Sequence, residues 1–328
     1  MNELTARGAK IVINDWLLLK PEENLLIVTS ERHLDEAKVL KIYAKKIGVS
    51  VDIMLVEKSG KKVGIYFDKN DRIFDPYDAI IGATEYSLVT TLAAKRAIEL
   101  GKKYVSLPLS TNNGVSMLAF DFMTENTEIS KIKANLLMQN IRGSSKIYVS
   151  TELGTDLHLS MKGRKPGFFN GNVEDGGGFS SSSIEVYIPI VETATNGILV
   201  LDGSYGYIGK VETPFKITFE DGKIVNIENS KSGKILKDYL ESFDDARMYY
   251  GAEFGIGLNS KSICKGDCYI EDESAYGTFH IGLGRNFALG GQHDASGHFD
   301  LVAHNADIYF DNRHIVDKGK VTIQSVYF

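Results

Sequence analysis

Four residues between positions 249 and 302 have the types and spacing of a metal site: Glu253, His280, His298 and Asp300. Glu253 sits in the run Ala252-Glu253-Phe254-Gly255-Ile256-Gly257, and His280 follows 27 residues later in Thr278-Phe279-His280-Ile281-Gly282-Leu283. His298 and Asp300 form an H-x-D pair, and residues two apart on a strand project to the same face. Imidazole and carboxylate groups converging from short strands are the usual ligands of zinc, manganese, cobalt or iron. Glu185, in Ile184-Glu185-Val186-Tyr187-Ile188-Pro189, offers a fifth donor. A single strand histidine is more often a hydrogen-bonded core residue, and a strand-end glutamate more often half of a salt bridge. The apolar, glycine-rich flanks of Glu253 weigh against the second reading, because an uncompensated carboxylate there is costly to bury.

The elements that must carry these residues lie in the second half of the chain. From Ser144 the sequence alternates polar and apolar residues in short runs, at 146–151, 156–161, 184–189, 197–203, 215–225 and 306–310. That is the texture of antiparallel strands. Glu220-Asp221-Gly222-Lys223 is a hairpin-turn signal, and residues 231–246 read as a helix. The glycine- and serine-rich stretch 171–183 reads as a linker or a loop near the site.

The first half reads differently. An amphipathic helix is expected over residues 1–20, ended by Pro21. Leu25-Leu26-Ile27-Val28, Val51–Val56, Ala79–Gly82 and Tyr104–Leu107 are continuous apolar runs typical of strands buried on both faces. Helices are expected between them and at about 128–141. The expected fold is therefore α/β followed by α+β: an open α/β domain over 1–142, then a mostly antiparallel, barrel-like metal-binding domain over 143–328.

Composition narrows the function. The formal net charge of −6 does not favour a nucleic-acid partner, which needs a basic surface. No apolar run approaches the roughly 20 residues of a membrane span, and the N-terminus lacks a signal-peptide core, so a cytoplasmic location is expected. Neither a G-x-G-x-x-G loop nor a G-x-x-x-x-G-K-[ST] loop is present, which argues against a nucleotide cofactor. Cys264 and Cys268 read as ordinary thiols.

The segments around Glu185, Glu253, His280, Gly290-Gly291 and His298-x-Asp300 resemble the metallo-aminopeptidases of the aminopeptidase T and aminopeptidase S group, over residues 180–320. The resemblance implies a homodimer whose Glu185, Glu253, His280, His298 and Asp300 hold two divalent ions, zinc, cobalt or manganese. It also implies a metal-activated water that removes N-terminal residues from a peptide substrate. Glu185 or Glu253 would assist as carboxylate and His293 would contact the oxyanion. Two positions depart from the pattern: Phe287 stands where that family places a tyrosine, and His293 where it places an asparagine. Arg285 is a further candidate, to pair with a substrate carboxylate. A second branch of the same fold, resembling 2,5-dihydroxypyridine dioxygenases, binds one iron and is closer in length. In that branch a histidine stands in place of Glu253, and apolar residues in place of Glu185 and His280. Keeping all three peptidase-type residues favours the dinuclear arrangement. The alternative is a mononuclear iron oxygenase using His280, His298 and Asp300, or a non-catalytic metal-binding homologue.

Overall fold

The computed structural model describes residues 2–56 and 63–322. Two compact units interleave along the chain: Met1–Thr127 with Phe169–Ile184, and Glu128–Phe168 with Glu185–Phe328. The change of texture near residue 143 lies inside the first segment of the second unit. Residues 323–328 lie outside the described residues.

The first unit holds a parallel sheet. Numbering strands along the chain, its order is β2 (Ser50–Leu55), β1 (Asn24–Thr29), β3 (Ala79–Ala83), β4 (Lys103–Ser106) and β8 (Phe179–Ser181). Leu25, Ile27, Val28, Ile80 and Ile81 are buried, as expected when both faces of a parallel sheet are covered. Helices α1 (Glu3–Ile11), α2 (Leu34–Ile47), α3 (Val63–Lys69) and α4 (Leu92–Glu99) belong to this unit. The expected first helix is shorter in its regular part: α1 is capped by the Asn2 side chain and widens into a π-type turn over Val12–Trp16. The helix expected between the third and fourth strands is α4, capped at its start by the Thr91 hydroxyl, which accepts from the Ala94 N–H. Part of the glycine-serine stretch is neither linker nor loop: Phe179–Ser181 runs parallel to β4 as the fifth strand.

The second unit is antiparallel, with α5 (Thr127–Ile141), α6 (Lys231–Glu241) and the short α7 (Tyr269–Ser274). An eight-stranded sheet has the order β13 (Lys223–Ile227), β12 (Phe215–Glu220), β10 (Asn196–Leu201), β6 (Asp156–Ser160), β5 (Lys146–Ser150), β17 (Asp307–Phe310), β18 (Arg313–Asp317), β19 (Lys320–Val321). The β12–β13 turn places Asp221 at φ 46° and Gly222 at φ 84°, the two positive angles a type I′ hairpin needs. A six-stranded sheet has the order β11 (Ser204–Tyr205), β16 (His298–His304), β15 (Thr278–Gly284), β14 (Gly251–Gly257), β9 (Glu185–Pro189), β7 (Gly167–Phe169). The two sheets share an aromatic core in which Phe254 of β14 meets Phe279 of β15 and Phe310 of β17, with ring centroids 6.1 and 6.4 Å away.

Candidate metal centre

The six-stranded sheet separates its two faces by strand alternation. Phe254, Phe279, Ile281, Phe299 and Leu301 point one way and are buried, while Glu185, Glu253, His280, His298 and Asp300 point the other. Register then gathers the second set. Glu253 pairs with Gly282, and Gly282 with Asp300, so one cross-strand row carries two carboxylates around a glycine. In the neighbouring row His280 pairs with Gly255, and Gly255 with Tyr187. The glycines make room. A Cβ on Gly255 would lie 1.9 Å from His280 Nε2, and one on Gly282 would lie 2.8 Å from both Glu253 Cβ and His298 Cε1. Glycine inside a strand commonly marks such a close approach.

All five expected residues come together, in two groups that share Glu253. His280 Nε2 lies 3.0 Å from Glu185 Oε2 and 3.9 Å from Glu253 Oε1. His298 Nε2 lies 3.0 Å from Glu253 Oε2 and 3.2 Å from Asp300 Oδ1. Glu185–Glu253–His280 and Glu253–His298–Asp300 each offer three donor atoms within 4.8 Å of one another. The alternative triad of His280, His298 and Asp300 is not formed, because His280 turns to Glu185 while His298 turns to Asp300.

Electrostatics bind the cluster tightly. Burial alone would lower both histidine pKa values, but Glu185 acting on His280 and Asp300 acting on His298 raise them well above the ordinary imidazole range. Burial would raise Asp300, yet the charge of His298, 3.2 Å away, pulls it down to about 2. Glu253 is likewise pushed up by burial and brought below its usual value by hydrogen bonds from His280 and His298.

Other residues complete the surroundings. The Tyr269 hydroxyl of α7 donates to Asp300 Oδ2 at 2.5 Å, and the Tyr207 ring lies 4.3 Å from that of Tyr269. Glu273, one helical turn beyond Tyr269, is buried, and burial followed by repulsion from Glu185 and Asp300 holds its pKa well above normal. His298 Nδ1 meets the Arg285 carbonyl at 2.8 Å. Sequence reasoning missed Tyr269, Glu273 and Tyr207. The one available signal was the four-residue spacing of Tyr269 and Glu273, which places both on one helix face.

The remaining candidates stand outside both groups. His293 Nε2 lies 2.9 Å from the Arg247 carbonyl, and its ring lies beside Tyr250. Arg285 pairs with Asp294 at 3.0 Å, and Phe287 opens a short 3-10 turn, Phe287–Leu289.

The donors suit a divalent metal. Three carboxylates and two imidazoles are gathered in an apolar sheet, and Asp300 Oδ1, 3.2 Å from His298 Nε2, is buried without a hydrogen-bond partner among the described residues, an arrangement a cation would compensate. Fold and site thus define a two-unit α/β and antiparallel-β protein with a candidate metal centre on its six-stranded sheet. The model of the family described as NicX: 2,5-dihydroxypyridine 5,6-dioxygenase matches residues 121–323, more than half of the chain, and the chain belongs to that family. The 2,5-dihydroxypyridine 5,6-dioxygenase of Pseudomonas putida KT2440 is 26% identical over 223 residues. That match covers 62% of this chain and 61% of the relative's length. The solved structure of 2,5-dihydroxypyridine dioxygenase from Pseudomonas putida KT2440 superposes with a TM-score of 0.80 at 16% identity, covering 98% of this chain and 97% of the other. Wild-type AmpT from Thermus thermophilus superposes with a TM-score of 0.68 at 14% identity, covering 98% and 99%. At these identities both structures establish the fold alone.

The family match and the curated relative overturn the expected aminopeptidase activity, and with it the assignment to the hydrolases. The resemblance to the aminopeptidases holds at the level of the shared fold. Among the described residues no helix is long and apolar enough to cross a membrane.

Proposed function

We propose that this chain is a metal-dependent ring-cleaving dioxygenase acting on a dihydroxylated nitrogen heteroaromatic ring of the 2,5-dihydroxypyridine kind. The observation that carries the reading is the Glu253–His298–Asp300 group, lying within the residues that match the dioxygenase family. These three residues would hold the reactive metal, and Glu185 and His280 with the shared Glu253 offer a second seat for a divalent ion. A redox-active ion such as iron would supply the chemistry that lets dioxygen react with an electron-rich ring.

The chain's own residues do the positioning. Tyr269 holds one oxygen of Asp300 and leaves the other for the seat, and the Arg285 carbonyl orients His298 so that Nε2 faces Glu253. The half-buried Tyr207 beside Tyr269 adds an aromatic surface near the metal ligands, suited to a flat ring. A carbon–carbon bond of the ring breaks and both oxygen atoms of dioxygen enter the product, so no external reductant is consumed.

An oxygen electrode tests this on protein loaded anaerobically with Fe(II). With 2,5-dihydroxypyridine, uptake of one dioxygen per ring consumed is expected, together with loss of the ring's ultraviolet absorbance, and neither change with Asp300→Ala. No uptake with that compound or with a panel of dihydroxylated pyridines and benzenes would contradict the proposal.

A further inference from the structure

The two seats differ in how their ligands are held from behind. In the Glu253–His298–Asp300 seat both outward atoms are tied: His298 Nδ1 to the Arg285 carbonyl at 2.8 Å, and Asp300 Oδ2 to the Tyr269 hydroxyl at 2.5 Å. In the other seat His280 Nδ1 has no hydrogen-bond partner among the described residues. A partner on the far side of a ligand fixes its tautomer and orientation and raises its basicity. The seats also differ in access: the His298 side chain is 14% exposed and that of His280 1%.

We infer that the two seats are ranked: the Glu253–His298–Asp300 seat takes the first ion and holds it more tightly, and Tyr269 is the positioning residue that sets the difference. This rests on the reading of the cluster as a metal centre, not on the ring-cleaving reaction. Tyr269 reaches the seat through its hydrogen bond to Asp300 Oδ2. It acts through Asp300, whose free Oδ1 stays aimed at His298 because Oδ2 is occupied. Glu253 is common to both seats and cannot distinguish them. An imidazole without an outer partner must be ordered by the ion itself, and that ordering subtracts from the affinity of the Glu185–Glu253–His280 seat.

The test is anaerobic titration of the full chain with Co(II) against a chromophoric chelator, read by the chelator and by the visible absorption of bound cobalt, with no substrate present. Tyr269→Phe, which keeps the ring packed on Tyr207, should weaken the first equivalent roughly 10- to 100-fold and leave any later equivalent unchanged. His280→Ala should leave the first equivalent intact and remove the later one. A single equivalent in the wild type that survives His280→Ala also supports the ranking. Loss of the tightest equivalent in His280→Ala overturns it, as does an unchanged first equivalent in a folded Tyr269→Phe. If Tyr269→Phe does not fold, the His280→Ala result decides alone. Because no oxygen or ring compound is used, failure of the ring-cleaving proposal would leave this result untouched, and a failed ranking would leave that proposal standing.

Discussion

The central strands of two sheets in this molecule, β1 and β14, are alike in burial and built on opposite terms. In the parallel sheet of the first unit, Leu25, Ile27, Val28, Ile80 and Ile81 fill both faces with hydrocarbon. In the six-stranded sheet β14 is buried along its whole length, Gly251–Gly257. Only one of its faces is hydrocarbon. The other carries Glu253 between glycines, with His280 across from Gly255 and Asp300 across from Gly282. The first arrangement needs nothing further to be stable. The second buries five ionisable side chains whose mutual pairing only partly offsets their desolvation, so a local rule of core building is broken at one place, and a bound cation would compensate it. What the comparison teaches is that burial alone does not separate core from site; the chemistry of the buried face does.

Substitutions on the two sheets should therefore fail in different ways. The largest effect is expected from Gly255→Ala, whose Cβ would fall 1.9 Å from His280 Nε2. It should abolish the Glu185–Glu253–His280 seat, read as the loss of the later equivalent in a cobalt titration. Ile27→Ala in the parallel sheet should cost about 2–5 kcal/mol of stability in denaturant unfolding and leave metal affinity as it was. If Ile27→Ala loosens the metal as strongly as Gly255→Ala, the two sheets are not functionally distinct.

A smaller effect is expected from the buried acid of α7. Asp272 is raised to about 6, chiefly by burial, so the fold favours its protonated form. Its contribution is fully present below the unfolded value of 3.8 and is lost as pH rises through about 6. Its Oδ1 accepts the N–H groups of Lys265 and Gly266, which an asparagine oxygen can also do. Asp272→Asn should thus raise the melting temperature at pH 8 and change it little at pH 4. An equal gain at both pH values would place the cause elsewhere than in the carboxylate charge.

The smallest contrast concerns Asp245, which is drawn below its ordinary range chiefly by the Arg247 side chain. Asp245 also accepts the N–H groups of Arg247 and Ser296. Asp245→Asn should cost about 1–3 kcal/mol near neutral pH, with the difference from wild type shrinking as pH falls through the aspartate's folded pKa. A difference that persists unchanged in acid would show that charge is not what Asp245 contributes.

The residues of the cluster were legible because each stands in a strand whose pattern is plain. The H-x-D pair fixes a shared face for His298 and Asp300, and the glycine-flanked Glu253 stands out in an apolar run. The strands Asn24–Thr29, Ala79–Ala83 and Lys103–Ser106 were legible from continuous hydrocarbon. Phe179–Ser181 was not, since serine has weak strand preference and the pairing with β4 is made across a long stretch of sequence. Helix α7 was hidden by its six-residue length and by an N-cap, Cys268, whose side chain makes no capping bond. Tyr269 and Glu273 were missed with it. The reaction class was not legible either, because carboxylate and imidazole ligands serve hydrolysis and oxygen chemistry alike. Retention of Glu185, Glu253 and His280 pointed to the geometry of the cluster and misdirected the choice of chemistry.

The central claim is that the cluster around Glu253 is a metal centre. Anomalous diffraction at the iron edge, from crystals of protein loaded anaerobically with Fe(II), tests it most directly. A strong peak within bonding distance of Glu253, His298 and Asp300 is expected. Ordinary solvent density there, with the His298–Asp300 and His280–Glu185 ion pairs still closed at saturating iron, would contradict it.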